Sequence, residues 1–303
     1  MDAGHDHGTV SASYRPRLLI VLVITLAVVL LQVVAGLASG SLALLADAGH
    51  ALTDATGLAL ALGASWLAGR PPTPTRTFGM QRAEVLAALA NVLLLTAVAV
   101  WVVIEAIRRW DDPATIESGL MIGAAAVGAA ANLVCLLILR SGKQKSLNVR
   151  GAYLEVLGDL LGSLAVIVAG VVIATTDFER ADVIASLVIA AMIAPRVWRL
   201  FRDVADVLLE ATPRNVNLAH VREHITEIPG VVDVHDLHAW TITSGVPVLS
   251  AHVVVEDECL AQGRSGEVLD RLGECLAGHF DVEHCTFQLE PVGHQSHESS
   301  HHQ

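Results

Sequence analysis

Two pairs of metal-competent side chains sit inside otherwise apolar stretches of this chain: His50 with Asp54, and Glu155 with Asp159. Within each pair the residues are four apart, a spacing that leaves both side chains on one face of an α-helix, about one turn from each other. A charged group near the centre of a bilayer costs at least ~2.5–3.5 kcal/mol even on a lenient scale, so such groups usually mark a substrate or ion path. Two such faces turned toward each other bring one imidazole and three carboxylates into a small space. That donor set suits a four-coordinate divalent cation, zinc above all.

A buried hydrogen-bonded pair holding helices together would explain either pair alone. It explains both less well, because three clustered carboxylates repel one another unless a cation or protons neutralise them. Asp47 lies three residues before His50 on the same stripe. It is either an accessory metal-admitting or proton-handling group, or a hydrated residue near the outer surface.

The elements that must position these residues are membrane spans. The 303-residue chain is 53% hydrophobic, with a mean hydropathy of +0.56. Apolar runs occupy residues 18–37, 42–68, 83–107, 116–139, 152–174 and 182–201, each long enough to cross a hydrocarbon core of about 30 Å at ~1.5 Å per residue. Backbone amides find no water there, so the runs are predicted to be six helices. With the N-terminus in the cytoplasm, that side collects Arg15, Arg17, Arg70, Arg76, Arg82, Arg140, Lys143, Lys145, Arg150, Arg196, Arg199 and Arg202. The far side receives only Arg108, Arg109 and Arg180. This bias predicts a multi-pass protein of the plasma (inner) membrane with both termini cytoplasmic. The first run follows a short mixed-charge leader without a small-residue cleavage site, so it reads as a span and not a signal peptide. Counted from the cytoplasmic ends, Asp54 lies ~21 Å along its helix but Asp159 only ~12 Å along its own. The levels match better if the fifth helix begins near Ser146.

Beyond residue 206 the composition becomes that of a soluble domain. A helix over about 215–227, strands over 231–242 and 247–256, a helix over 263–278 and a strand over 282–290 give an α-β-β-α-β order. About eighty residues in that order fit a small α+β domain with helices on one face of a sheet. The expected division is therefore residues 1–14 as a His-containing leader, 15–205 as a six-span membrane domain, 206–291 as a cytoplasmic domain and 292–303 as a His-rich tail. The formal charge of −12 is concentrated in the soluble part, which argues against nucleic acid as a partner. Cys135, Cys259, Cys275 and Cys285 show no CxxC spacing and imply no disulfide framework.

Several stretches carry a resemblance: "SLALLADAGHALTDATGLAL", "RTFGMQRAEVLAALAN", "NVRGAYLEVLGDLLGSLAV", "VLLEATP" and "IPGVVDVHDLHAWTITSGVPVLSAHV". Over residues 15–291 the chain resembles the cation diffusion facilitators, in particular their bacterial zinc, cadmium and cobalt resistance branch. The resemblance implies six spans, a cytoplasmic ferredoxin-like domain, and a homodimer that exchanges a divalent metal for protons. It places His50, Asp54 and Asp159 on the transport-site positions. Glu155 stands where many members carry histidine or aspartate, a departure that keeps a metal-binding group but makes the site harder. The implied mechanism is alternating access, with Zn2+ as the expected metal.

The soluble domain holds a second histidine set. Alternation puts His284, Thr286, Gln288 and Glu290 on one face of the last strand, and His252 on a polar face of the middle one. The first strand alternates too irregularly to choose between His235 and His238. The resemblance favours His235, with His252 and His284, as a cytoplasmic metal site that steadies the dimer. His5, His7 and the C-terminal "HQSHESSHH" are short polar segments that are loose metal-capture sites, chance composition or, at the C-terminus, the remnant of an affinity tag.

Other function classes fit less well. A membrane metalloprotease would need a general base besides its ligands, and the chain has no HExxH. A metal sensor or regulatory binding protein would need the cytoplasmic domain but not the intramembrane pairs.

Overall fold

The computed structural model of the chain describes residues 10–140, 147–243, 245–280, 282 and 284–297. Six long helices come first: α1 (Val10–Ser39), α2 (Leu42–Ala68), α3 (Ala83–Arg108), α4 (Ser118–Leu139), α5 (Leu147–Thr176) and α6 (Arg180–Leu208). Then follow α7 (Leu218–Thr226), β1 (Val231–Thr241), β2 (Pro247–Val255), α8 (Asp257–Ala261), α9 (Ser265–Phe280), β3 (His284–Pro291) and a 3-10 turn at His294–His297. His5 and His7 and the tail beyond His297 lie outside the described residues. The chain divides into two compact units, Met1–Gly63 with Ala87–Phe201, and Ala64–Leu86 with Arg202–Gln303.

In the first unit, α4 packs along α5 and α1. Its core is built largely of small side chains (Ala35, Ala43, Ala46, Ala124, Ala125, Ala169) filled out by Leu44, Leu95 and Met121. Small residues let helix backbones approach closely, the usual solution where lipid removes any hydrophobic drive between helices. Large apolar side chains point outward instead, with Leu30 67% and Leu37 70% exposed. Among the described residues, six helices are long and apolar enough to cross a membrane.

The start of α2 is held by a residue far away in sequence. Gly40 turns the chain between α1 and α2 with φ +75°, a conformation open to glycine at little cost. Asp182, in the first turn of α6, then accepts from Ser41 Oγ at 2.6 Å, Leu42 N at 2.7 Å and Ala43 N at 3.1 Å. A carboxylate on the free amides of a helix N-terminus satisfies orphan donors and complements the helix dipole. Asp182→Ala should therefore lower stability by about 2–3 kcal/mol, from a lost cap and charge-assisted bonds. Thermal unfolding of the purified variant checks it, and a melting temperature equal to the parent's would refute the capping role.

Helix α5 begins at Leu147, five residues before the apolar run does, because Asn148 and Arg150 continue the helix past its hydrophobic part. Asp159 is then ~18 Å along α5 at ~1.5 Å per residue. That level is close to Asp54 on α2.

In the second unit, three strands form one sheet in the order β1-β2-β3, with β1 antiparallel and β3 parallel to β2. Val221 and Ile225 of α7 and Val268, Leu272 and Leu276 of α9 join Leu249, Ala251 and Val253 in its core. The order is the α-β-β-α-β expected of a ferredoxin-like domain, with one addition. Residues 257–261, expected to be a connection, form the short helix α8. The loop after α2 also belongs to this unit: Thr243 Oγ1 donates to Glu84 Oε2 at 2.8 Å, and Phe78 stacks edge-on against His284 at 6.2 Å.

Candidate metal centres

Helix α2 brings His50 and Asp54 to the same level as Asp159 on α5. His50 Nε2 lies 3.8 Å from Asp54 Oδ2 and 4.0 Å from Asp159 Oδ1. One ligand atom from each of the three stands within 4.8 Å of the others. Zinc–ligand bonds of about 2.0–2.2 Å put tetrahedral donors a little over 3 Å apart, so small side-chain rotations close this cluster on an ion. Each carboxylate keeps one oxygen for this purpose: Asp54 Oδ1 and Asp159 Oδ1 are buried and hydrogen-bond to no described residue. Buried polar atoms are nearly always satisfied, and a cation would satisfy these lone pairs.

Glu155 is one turn from Asp159 but does not join the three. Its side chain is 46% exposed, and Arg196 Nη2 donates to its Oε1 at 2.7 Å. The same guanidinium gives Nη1 to Asp54 Oδ2, also at 2.7 Å. The sequence had placed Arg196 among the cytoplasmic flanking charges; the structure puts it in the site. Its position inside the apolar run 182–201, directly after Pro195, was the signal. A long side chain on a third helix reaches inward to the acidic pairs.

Asp47 is buried at 2% exposure, which removes the reading of a hydrated residue near the outer surface. Gln32 Nε2 and Ser163 Oγ donate to its Oδ2 at 2.8 and 2.9 Å. A Cβ at Gly162 would overlap Asp47 Oδ1, so this glycine is what lets α5 close on α2 here. The other two glycines near the site act differently. A Cβ at Gly57 would press on Asn91 at 2.6 Å, while one at Gly158 would meet no described atom within 4 Å.

The second unit holds a separate group: His235, His252 and Glu290 also offer ligand atoms within 4.8 Å of one another. The register explains its membership. His235 pairs directly with His252 across β1 and β2, and His252 pairs with Gln288 on β3. Glu290, one alternation further along the same face, then reaches both histidines, at 3.4 Å from His235 Nε2 and 2.8 Å from His252 Nδ1. His284 pairs with Val248, four residues from Gln288 and so ~13 Å away along the strand. It does not reach the group and packs on Phe78 instead. Sequence alternation placed His284 and Glu290 on one face; only the parallel register shows which end faces His252.

A β-bulge separates the two first-strand histidines. The register shifts between His235 and His238, and Asp236 takes φ +48°. The extra residue breaks the alternation that otherwise identifies a face. It leaves His235 partly buried toward Glu290, and swings Asp236 to within 3.7 Å of His252 Nε2 and 2.8 Å of the exposed His238 Nε2. Among the described residues no thiol joins this group, and burial pushes the Cys275 and Cys285 thiols above their ordinary value.

Comparison with known proteins points one way. A family model described as the cation efflux transmembrane domain matches residues 18–209, and one described as the cation efflux protein cytoplasmic domain matches residues 213–292. The chain is 43% identical to the metal cation efflux system protein CzcD of Cupriavidus metallidurans, over 96% of this chain and 90% of that one. It is 40% identical to the zinc transporter ZitB of Escherichia coli, over 94% and 92% respectively. A cadmium, cobalt and zinc/H(+)-K(+) antiporter of Bacillus velezensis is 36% identical over 96% of this chain and 93% of its own length.

Proposed function

We propose that this chain, which belongs to the cation diffusion facilitator family, exports divalent metal cations, zinc foremost, across the inner membrane in exchange for protons. The observation that carries this reading is the convergence of His50, Asp54 and Asp159, buried and within ligand distance of one another, inside helices long enough to span a bilayer. Residues 15–205 form the transport portion and residues 206–291 the cytoplasmic, dimerising portion of a homodimer. Transport itself is the activity, and no enzymatic reaction is assigned. A metal sensor would have no use for the intramembrane group.

Metal enters from the cytoplasm onto deprotonated donors. Histidine ligates only when neutral and carboxylates only when ionised, so binding a metal releases protons and protons expel the metal. Rocking of the helices exposes the loaded site to the far side, where protons compete for the same three side chains. Returning the protonated site to the cytoplasm lets the inward proton gradient drive export. The buried Asp47, hydrogen-bonded to α1 and α5, is placed to carry a proton beside this path. In the second unit, His235, His252 and Glu290 form a regulatory site for the same metal.

Flux into liposomes of the purified protein, measured with zinc, cadmium, cobalt, manganese and iron in turn, tests the reading. Zinc-dependent flux that grows with the proton gradient supports it, and metal binding without flux defeats it. Glu155→His, which exchanges a hard oxygen for a borderline nitrogen, should raise the zinc-to-manganese flux ratio severalfold. An unchanged ratio would show that position 155 never reaches the metal.

A further inference from the structure

We propose that Arg196 is a tethered counter-cation of the transport site, whose guanidinium and the metal compete for Asp54, so that metal capture requires Arg196 to withdraw. This rests on reading His50, Asp54 and Asp159 as that site. The guanidinium comes from α6 and bridges the two helices that carry the ligands, with Nη1 on Asp54 Oδ2 and Nη2 on Glu155 Oε1, each at 2.7 Å. Asp54 Oδ2 is also the Asp54 oxygen that faces His50 Nε2, at 3.8 Å. It is thus the oxygen best placed for a metal shared with His50, and it is already committed to a cation.

The two occupants exclude each other for reasons of charge. Arginine stays protonated at any relevant pH, so it cannot yield its place by losing a proton as a lysine can. A dication on Asp54 would stand a few ångströms from that fixed charge, in surroundings that screen poorly. Arg196 must therefore move. Pro195 precedes it inside α6 and supplies no amide to the carbonyl of Ala191, so the helix ladder is already interrupted where such a movement would bend it. The same contact explains why Glu155 stands outside the group of three. Arg196 holds it away, and withdrawal would free it as a fourth ligand. The device links metal capture to a displacement of α6 and keeps the acidic donors partly neutralised in between.

The test is zinc flux by the full chain in liposomes, read as half-saturating zinc and maximal rate. If the competing contact holds Asp54 at least nine-tenths of the time, removing it should lower half-saturating zinc about tenfold. Arg196→Gln is therefore expected to saturate at lower zinc and to turn over more slowly, since a tighter metal leaves more slowly. Arg196→Lys, which keeps the charge, should saturate nearer to the parent than Arg196→Gln does. Glu155→Gln combined with Arg196→Gln, which removes one charge of each sign, should saturate at lower zinc than Glu155→Gln alone, and decides the matter if the single glutamine variant fails to assemble. A half-saturating concentration that is unchanged or raised on removing Arg196 overturns the proposal, because a residue that merely orients Asp54 would weaken binding when lost. Asp159→Ala serves as the control: if it still carries parental flux, the transport-site reading has failed whatever the Arg196 variants show.

Discussion

Asp159→Ala should abolish metal flux while the protein still inserts and folds. The loss should exceed the roughly 10–100-fold that removal of an outer partner costs a metal site, because a direct ligand goes. Stability should hold or rise. Asp159 Oδ1 accepts no hydrogen bond from a described residue, and although His50 Nε2 lies 4.0 Å away, the carboxylates of Asp54 and Glu155 are also close, so its removal relieves repulsion among them. Asp54→Ala should be equally inactive but less stable than Asp159→Ala, because it takes away one of the two carboxylates that Arg196 contacts. Arg196 is then left with only the half-exposed Glu155 as its counter-charge. Flux in liposomes and thermal unfolding of the two variants side by side measure both halves. An Asp159→Ala protein that moves zinc at the parental rate would remove the transport site from this cluster. A reversed stability order would remove Arg196 from it.

His235→Ala combined with His252→Ala should leave a slower transporter with one class of bound zinc gone. Glu290 is 1% exposed, and a buried carboxylate of this kind needs a cation or hydrogen bonds to offset its desolvation. Gln288 Nε2 supplies one such bond at 2.8 Å, and His252 Nδ1 and His235 Nε2 stand at 2.8 and 3.4 Å; zinc held with the two histidines would supply the cation. A ligand at about a hundred times its dissociation constant stabilises the folded state by ~2.7 kcal/mol, so zinc should raise the parent's melting temperature measurably. Part of that rise should vanish in the double variant and persist in Asp159→Ala, whose cytoplasmic group is intact. Flux should fall and not vanish, because a regulatory ligand shifts an equilibrium only by its differential affinity for the two conformations. A double variant as inactive as Asp159→Ala, or one with the full zinc-dependent stabilisation, would defeat this assignment. His284→Ala should change neither zinc stabilisation nor metal stoichiometry, since His284 packs on Phe78.

Local pattern was legible along most of the described chain, the bulged first strand and the short α8 excepted. Spans announce themselves because a bilayer allows only internally bonded backbone, and the i, i+4 pairs announce themselves because helical periodicity is set by the backbone alone. The α-β-β-α-β order of the second unit follows from the same short-range periodicities. What the sequence could not decide was which distant residue completes each contact. Arg196 read as a flanking charge because hydropathy places a residue along the membrane normal and says nothing of which way its helix faces. Its inward turn takes Glu155 out of the donor group that the four-residue spacing suggested. Asp182 carried no local mark of its task, since the helix start that it caps lies about 140 residues earlier in the chain. On β3 the alternation was visible, but a strand face has two ends. The parallel register with β2 brings Glu290 beside His252 and leaves His284 ~13 Å away. Periodicity belongs to the backbone and is written in every stretch of sequence; register and helix rotation are settled by packing between distant segments, and only the tertiary structure contains them.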